Sequence, residues 1–277
     1  MKLYETMIVA CSILFSTPSF GWAQSIVAAV LPSSRSVQVR GDVTALATII
    51  NTGQNLAIDC TISPLSSIPA SFGYIDYESW DYGPTNIPAR AAHGFLFWFR
   101  PAAPIDPTEV LLRFKCANTD PAPIIPGVNT LLLSASATAT PDIVALVATE
   151  GNTGIVPVEP NGTGVFAVAT VNVGASGQIA VSADTGRATL PLSIAVCETD
   201  PTIGICFQAP TSSVTTLINS GQTPTFGIFV AGTGTAIPFD PASNRVFVRF
   251  KDGGGVTRGS TSVAIGASDP CLGCWDY

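Results

Sequence analysis

The stretch 73–83, "GYIDYESWDYG", gathers Tyr74, Tyr77, Trp80 and Tyr82 with Asp76, Glu78 and Asp81. Of the five tyrosines in the chain, only Tyr4 and Tyr277 lie outside it, a concentration that strand composition alone does not produce. Aromatic faces stack on the apolar side of a pyranose ring and carboxylates accept hydrogen bonds from its hydroxyls, so these residue types suit a sugar or glycan. Asp76, Glu78 and Asp81 also suit calcium, which would need further oxygen ligands from backbone carbonyls. The alternative is a solvated loop in which Tyr74 and Trp80 cap the end of a β-sandwich while the acids keep it soluble. An extended strand would put Tyr74, Asp76 and Glu78 on one face and Ile75, Tyr77 and Ser79 on the other. Only a loop beyond Ser79 could then bring Trp80 and Tyr82 beside Tyr77 as a platform.

Other chemistry is sparse. His93 is the only histidine, it sits in "AAHGF" before an aromatic run, and no Gly-x-Ser-x-Gly or similar nucleophile motif accompanies it; an exposed turn histidine is expected. "CLGC" supplies Cys271 and Cys274 but no second pair of ligands for zinc, and no helix follows to lower a thiol pKa for redox work. These two cysteines read as a small disulfide loop or as a handle for pairing between chains. Nothing places two carboxylates across a cleft for glycoside hydrolysis. The chain is therefore expected to be no enzyme, with no catalytic residue, no metal and no resident cofactor unless calcium occupies the acidic loop.

The elements that must carry the loop are exported β-strands. Lys2, an apolar run from Met7 to Phe15 and the small residues Gly21 and Ala23 form a secretory signal, so residues 1–23 are expected to be removed. A lipoprotein box at Ile8–Cys11 is the competing reading. No segment is long enough to cross a bilayer as a helix, which gives an exported product of the periplasm, cell surface or medium. Six cysteines remain: Cys60, Cys116, Cys197, Cys206, Cys271 and Cys274. Spacing suggests that Cys197 and Cys206 staple a hairpin across "ETDPTIGI", that Cys60 joins Cys116 at the ends of two apolar strands, and that Cys271 joins Cys274. With 12 basic against 19 acidic residues, a net charge of −7 and no basic clusters, nucleic acid is excluded as a partner.

Apolar segments are short, β-branched and alternating, as in "VTALATII" (43–50), "GFLFWFR" (94–100) and "EVLLRFKC" (109–116), with Gly, Pro and Asn between them. Strands at this spacing over more than two hundred residues predict an all-β chain of two tandem β-sandwich modules, residues 24–136 and 137–266, followed by a tail at 267–277 that carries the CxxC. Internal matches support a duplication. "ATIINTG" (47–53) pairs with "ATVNVG" (169–174), "FLFWF" (95–99) with "FGIFV" (226–230), and "PIDPTEVLLRFK" (104–115) with "PFDPASNRVFVRFK" (238–251), at offsets from 122 to 136. The small, polar "SASATATPD" (134–142) is the natural joint.

Residues 36–116 resemble the Hydin-type immunoglobulin-like modules of ciliary and bacterial proteins and related repeats of bacterial surfaces. The matching positions are Asn51 with Gly53 at a strand end, Ile87 with Pro88 at a turn, Phe99 with Pro101, and Leu111 with Phe114. One departure is Arg90, which stands where these modules usually have a glycine. The resemblance implies a structural or adhesive module and carries over no catalytic residue. The expected function is thus an exported, non-catalytic part of a bacterial envelope or surface assembly, or else a carbohydrate-binding accessory protein using loop 73–83. Expected partners are other surface or envelope proteins, glycans, or further copies of the chain.

Overall fold

A computed structural model describes residues 25–266. The expected signal peptide, the lipoprotein-box cysteine Cys11 and the pair Cys271 and Cys274 lie outside the described residues. Apart from one short 3-10 turn at Glu150–Asn152, the regular structure among them is β. The first nine strands are β1 (Ile26–Leu31), β2 (Ser34–Gln38), β3 (Val43–Asn51), β4 (Ala57–Pro64), β5 (Ala70–Asp76), β6 (Thr85–Ile87), β7 (Ala92–Pro101), β8 (Ile105–Lys115) and β9 (Thr130–Ser136). They form two sheets, ordered β1-β3-β7-β5 and β2-β9-β8-β4-β6. The next nine are β10 (Ile143–Ala148), β11 (Ile155–Pro157), β12 (Thr163–Asn172), β13 (Gly177–Asp184), β14 (Leu192–Thr199), β15 (Ser213–Ile218), β16 (Thr225–Gly232), β17 (Arg245–Asp252) and β18 (Thr257–Gly266). Their sheets, β10-β12-β16-β14 and β11-β18-β17-β13-β15, repeat the first pair strand for strand. The chain is two tandem immunoglobulin-like β-sandwiches.

Each sandwich holds its own core because strand alternation sends every second side chain inward. Along β7, Phe95, Phe97 and Phe99 are buried against Phe114, Leu112 and Leu133; in the second module Phe226, Ile228 and Val230 of β16 meet Phe250 and Val263. The strand registers make the duplication exact in places and correct it in one. Ala47 faces Phe95 and Val168 faces Phe226, while Ile62 faces Phe114 and Val181 faces Phe250. Phe95 therefore corresponds to Phe226, as the sequence match has it. The match of Ala47 to Ala169 is one residue out: Ile26 pairs with Asn51 and Ile143 with Asn172, which sets Ala47 on Val168. Both of these point inward, whereas Ala169 is exposed. A one-residue slip reverses the faces of a strand, so burial fixes the alignment where letter identity misled it.

The two asparagines show why the Asn-x-Gly pattern recurs. Asn51 and Asn172 are both fully buried at the ends of β3 and β12. The Asn51 amide donates to the carbonyls of Asn55, Ile87 and Pro88 and its oxygen accepts from Gly53 N–H. Asn172 donates to Ala175 and Ile218 and accepts from Gly174 N–H. Each asparagine ties the strand end to the turn that precedes the next strand of its own sheet, satisfying buried backbone groups that would otherwise stay unpaired.

Both expected bridges of the described residues are present. Cys60, within β4, is joined to Cys116, just past the end of the neighbouring strand β8, and Cys197–Cys206 joins β14 to the loop after it. The first crosses between adjacent strands of one sheet and so differs from an antibody-type bridge between sheets.

A polar seam fixes the modules together. Asp142, buried just ahead of β10, accepts from Arg35 Nε and Nη2 at 3.0 and 2.9 Å and from Ser36 N–H at 2.9 Å. Burial pushes the Asp142 carboxyl up, while Arg35 and the Ser36 N–H pull the other way. On β18, Ser260 N–H donates to Ser34 Oγ at 2.6 Å, and Arg258 Nη1 donates to Ser136 Oγ at 3.0 Å. Nine of the ten β18 residues are buried: Val263 and Ile265 belong to the second core, and the alternating Ser260 and Ser262 bond to the first module.

Candidate functional site

The aromatic and acidic stretch straddles the end of β5. Tyr74 is still within the strand; its ring packs edge-on against Phe95, 6.1 Å between centroids, and beside Phe72 at 6.3 Å. Burial raises the pKa of its phenol, against a hydrogen bond to the Ile62 backbone that lowers it. Tyr74 thus packs against the core along the edge strand β5, while Trp80, expected to cap the sandwich end with it, stands exposed.

Asp76 is buried and organises the turn that follows. Its Oδ1 accepts from Glu78 N–H at 2.8 Å and Ser79 N–H at 3.1 Å, and its Oδ2 accepts from Thr85 Oγ1 at 2.7 Å. Burial alone would raise its pKa; the bonds from Thr85, Ser79 and Glu78, with His93 alongside, outweigh it and hold the carboxyl well below the usual range. With its oxygens so occupied, Asp76 is a turn-former, and among the described residues no group of three or more His, Cys, Asp or Glu side chains is placed to hold a metal ion.

His93 is not the exposed turn residue expected. It lies in β7, mostly buried, edge-on to Phe95 at 5.2 Å. Its Nε2 is 2.9 Å from Asp76 Oδ2 and its Nδ1 is 3.7 Å from Glu78 Oε1. The first contact is close yet too poorly aligned for a hydrogen bond, leaving Nε2 without an aligned partner. The neighbours of the imidazole are thus two carboxylates and a phenyl ring. The hydrophobic alternation of "AAHGFLFWF" was the available signal: it runs back through His93, placing the residue inside the strand.

Beyond Asp76 the rings leave the core. Tyr77 and Trp80 meet at 6.1 Å with their planes tilted by 37°, and Trp80 is 63% exposed. Tyr82, 80% exposed, does not join them; it stands edge-on to Trp98 at 6.5 Å. The platform expected from three rings is therefore two pairs. Trp98 was missed from sequence, although its place between the inward Phe97 and Phe99 marks it as outward-facing. It lies flat over Gly73, where a Cβ would come within 2.3 Å of the indole.

The second module carries the same turn. Asp200 Oδ1 accepts from Thr202 and Ile203 N–H, Gly204 N–H donates to Asp200 O, and Asp200 N–H donates to Ile205 O. Around Asp76 the equivalent bonds come from Glu78 and Ser79, from Trp80 N–H to Asp76 O, and from Asp76 N–H to Asp81 O. The fifth residue of this turn takes a left-handed backbone, φ 70° at Gly204 and φ 61° at Trp80. Glycine adopts it freely, whereas a bulky residue there is an outlier. The turn before β7 repeats the contrast: Arg90 has φ 57°, and Gly221, reached at the same offset that relates Ile87 to Ile218, has φ 78°. The departure noted in sequence is thus an arginine held in the conformation that a glycine would take.

No model of a known protein family matches the chain, and no curated protein matches it. Among solved structures it is similar to "The BIgI domain of beta protein from S. agalactiae bound to CEACAM1", at 13% identity and TM-score 0.24 over 40% of this chain and 99% of that one. It is also similar to "Secreted serine protease VesC from Vibrio cholerae", at 12% identity and TM-score 0.25 over 73% of this chain and 46% of that one. A third is "BcpA*(D312A), the major pilin subunit of Bacillus cereus", at 9% identity and TM-score 0.30 over 88% and 70%. All three scores are low, and nothing about ligand or partner follows from them.

Proposed function

We propose that this chain is an exported, non-catalytic structural or adhesive module of a bacterial envelope or surface assembly, folding as units 24–136 and 137–266 after loss of a signal peptide. Two disulfides among the described residues suit an oxidising compartment, and no helix there is long and apolar enough to cross a membrane. The observation that carries the reading is the outer face of the β1-β3-β7-β5 sheet. Val27 lies opposite Ile50 and Leu31 opposite Leu46, all four side chains exposed, with Trp98 and Tyr82 alongside. Contiguous apolar surface of this kind marks an interaction face. Self-association through that face predicts a molar mass that rises with concentration in size-exclusion chromatography with light scattering, and a monomer for Leu46→Glu. A strict monomer at both low and high concentration refutes it.

The Tyr77–Trp80 pair favours a second reading, a carbohydrate-binding accessory protein. Its support is the strained exposure of an indole beside Glu78 and Asp81, at a position where the repeat uses glycine. Tryptophan fluorescence titrated with polysaccharides and with calcium tests it; a flat response to all of them removes it.

A further inference from the structure

A cleft of about 670 Å³ opens where the two modules meet. The first module supplies Glu109 and Leu111 of β8 and the turn at Pro126; the second supplies Arg187 and, from β17, Arg245, Phe247 and Arg249. Lys and Arg number 12 in the whole chain, so three arginines on one wall are a concentration. Their partners differ. Arg249 is bonded to Asp184 at 2.6 and 3.2 Å. Arg245, only 8% exposed, donates to Ser262 Oγ, Ser262 O and Pro241 O and to no carboxylate. Burial pulls its pKa down to about 10, the mark of a cation stripped of water with no counter-charge. Arg187 is exposed and makes no ion pair among the described residues. Glu109 accepts a hydrogen bond from the Thr130 hydroxyl.

Two uncompensated arginines against one carboxylate leave the wall with a single net positive charge, which suits a monoanion and disfavours a phosphate dianion or a polysulfated chain. An arginine fork binds a carboxylate in two parallel hydrogen bonds, which the exposed Arg187 can offer, while Arg245, with Nε and Nη2 held by Ser262 and Nη1 by Pro241, adds its charge and the remaining Nη1–H. Ser33, Ser66 and Ser243 beside them can exchange hydrogen bonds with hydroxyls, Phe247 and Leu111 give an apolar floor, and the volume lies in the usual range for a small-ligand site. We infer that the intermodule cleft binds a sugar acid, its carboxylate seated between Arg187 and Arg245 and its ring hydroxyls on the serines.

This site is separate from loop 73–83, and calorimetry on the full chain distinguishes the two. Galacturonate, a monoanion, should bind, while neutral lactose, glutamate and inorganic sulfate should bind at least fivefold more weakly. Arg187→Gln, an exposed change that spares the fold, should weaken galacturonate at least fivefold, and Arg245→Lys should weaken it too, with the unfolding temperature checked in parallel. Trp80→Gly should leave this affinity unchanged. Equal binding of lactose overturns the charge argument and equal binding of glutamate overturns the sugar assignment. No heat with galacturonate, or full affinity in Arg187→Gln, overturns the site.

Discussion

The two modules share strand order, core phenylalanines, the buried asparagine and even the aspartate-centred turn after β5 and β14, yet they treat that turn differently. The second module places Gly204 and Gly221 where the backbone goes left-handed; the first places Trp80 and Arg90 there. Both turns lie at one end of the first sandwich, because Asp76 at the end of β5 pairs with Phe95 near the start of β7. The second module instead displays Ile203, Ile205 and Phe207 on a loop stapled by Cys197–Cys206. A duplicated frame tolerates large change at its loop tips because the turn is held by backbone and aspartate bonds, not by the side chains displayed. Trp80 and Arg90 keep the left-handed backbone while their side chains reach Tyr77 and the Gln54 amide, respectively, contacts that a glycine could not make.

The comparison can be broken first at the seam. Arg35→Ala leaves the Asp142 carboxylate buried without its cation and should cost about 3–5 kcal/mol, splitting one calorimetric transition into two; a single transition at the original temperature would mean that the seam does not couple the modules. The disulfides come next. Replacing Cys60 and Cys116 with serine reopens a 56-residue separation and the Cys197–Cys206 pair one of 9, so chain entropy predicts losses of ~4 and ~3 kcal/mol in urea unfolding.

The paired aspartates should differ by less. Asp76→Asn loses buried bonds and should cost about 2 kcal/mol, whereas Asp200→Asn, on an exposed turn, should cost about half as much. Because the folded pKa of Asp76 lies below its unfolded value, near 3.9, its stabilisation is complete above about pH 4 and is lost as pH falls toward the folded value. The gap between wild type and Asp76→Asn in urea midpoint should therefore shrink at pH 3 relative to pH 7. The backbone term is of similar size or smaller: Gly204→Trp should lower stability by about 1–2 kcal/mol, and Trp80→Gly should leave it unchanged or raise it by up to about 1 kcal/mol, as read by thermal melts.

Much of the frame was legible in the sequence because period-2 burial and duplicated strand ends are local signals. Alternation in "FLFWF" gives the inward phenylalanines, and Asn51 with Gly53 and Asn172 with Gly174 mark matching corners. The two bridges follow from the spacing of the cysteines, one pair carried by two apolar strands and the other flanking a turn-like segment. Legibility stops where the structure depends on register and distance. The Ala47–Ala169 match slipped by one because small residues recur on both faces. The pairing of Tyr82 with Trp98 needs the geometry of the turn. The seam from Ser34 to Ser260 and the arginine cleft join residues more than a hundred positions apart that share no pattern, and the strain at Trp80 becomes visible only once Gly204 is known to be its counterpart.

The central claim is that the turn after β5 belongs to the common frame of both modules, and the carbohydrate-binding reading assigns recognition to its tip. Replacing residues 76–81, "DYESWD", with 200–205, "DPTIGI", tests this directly. Affinity electrophoresis through polysaccharide gels, with melting curves alongside, should show a chimera that melts within a few degrees of the parent and has lost its retardation. A chimera that fails to fold, or one retarded as strongly as the parent, contradicts the account.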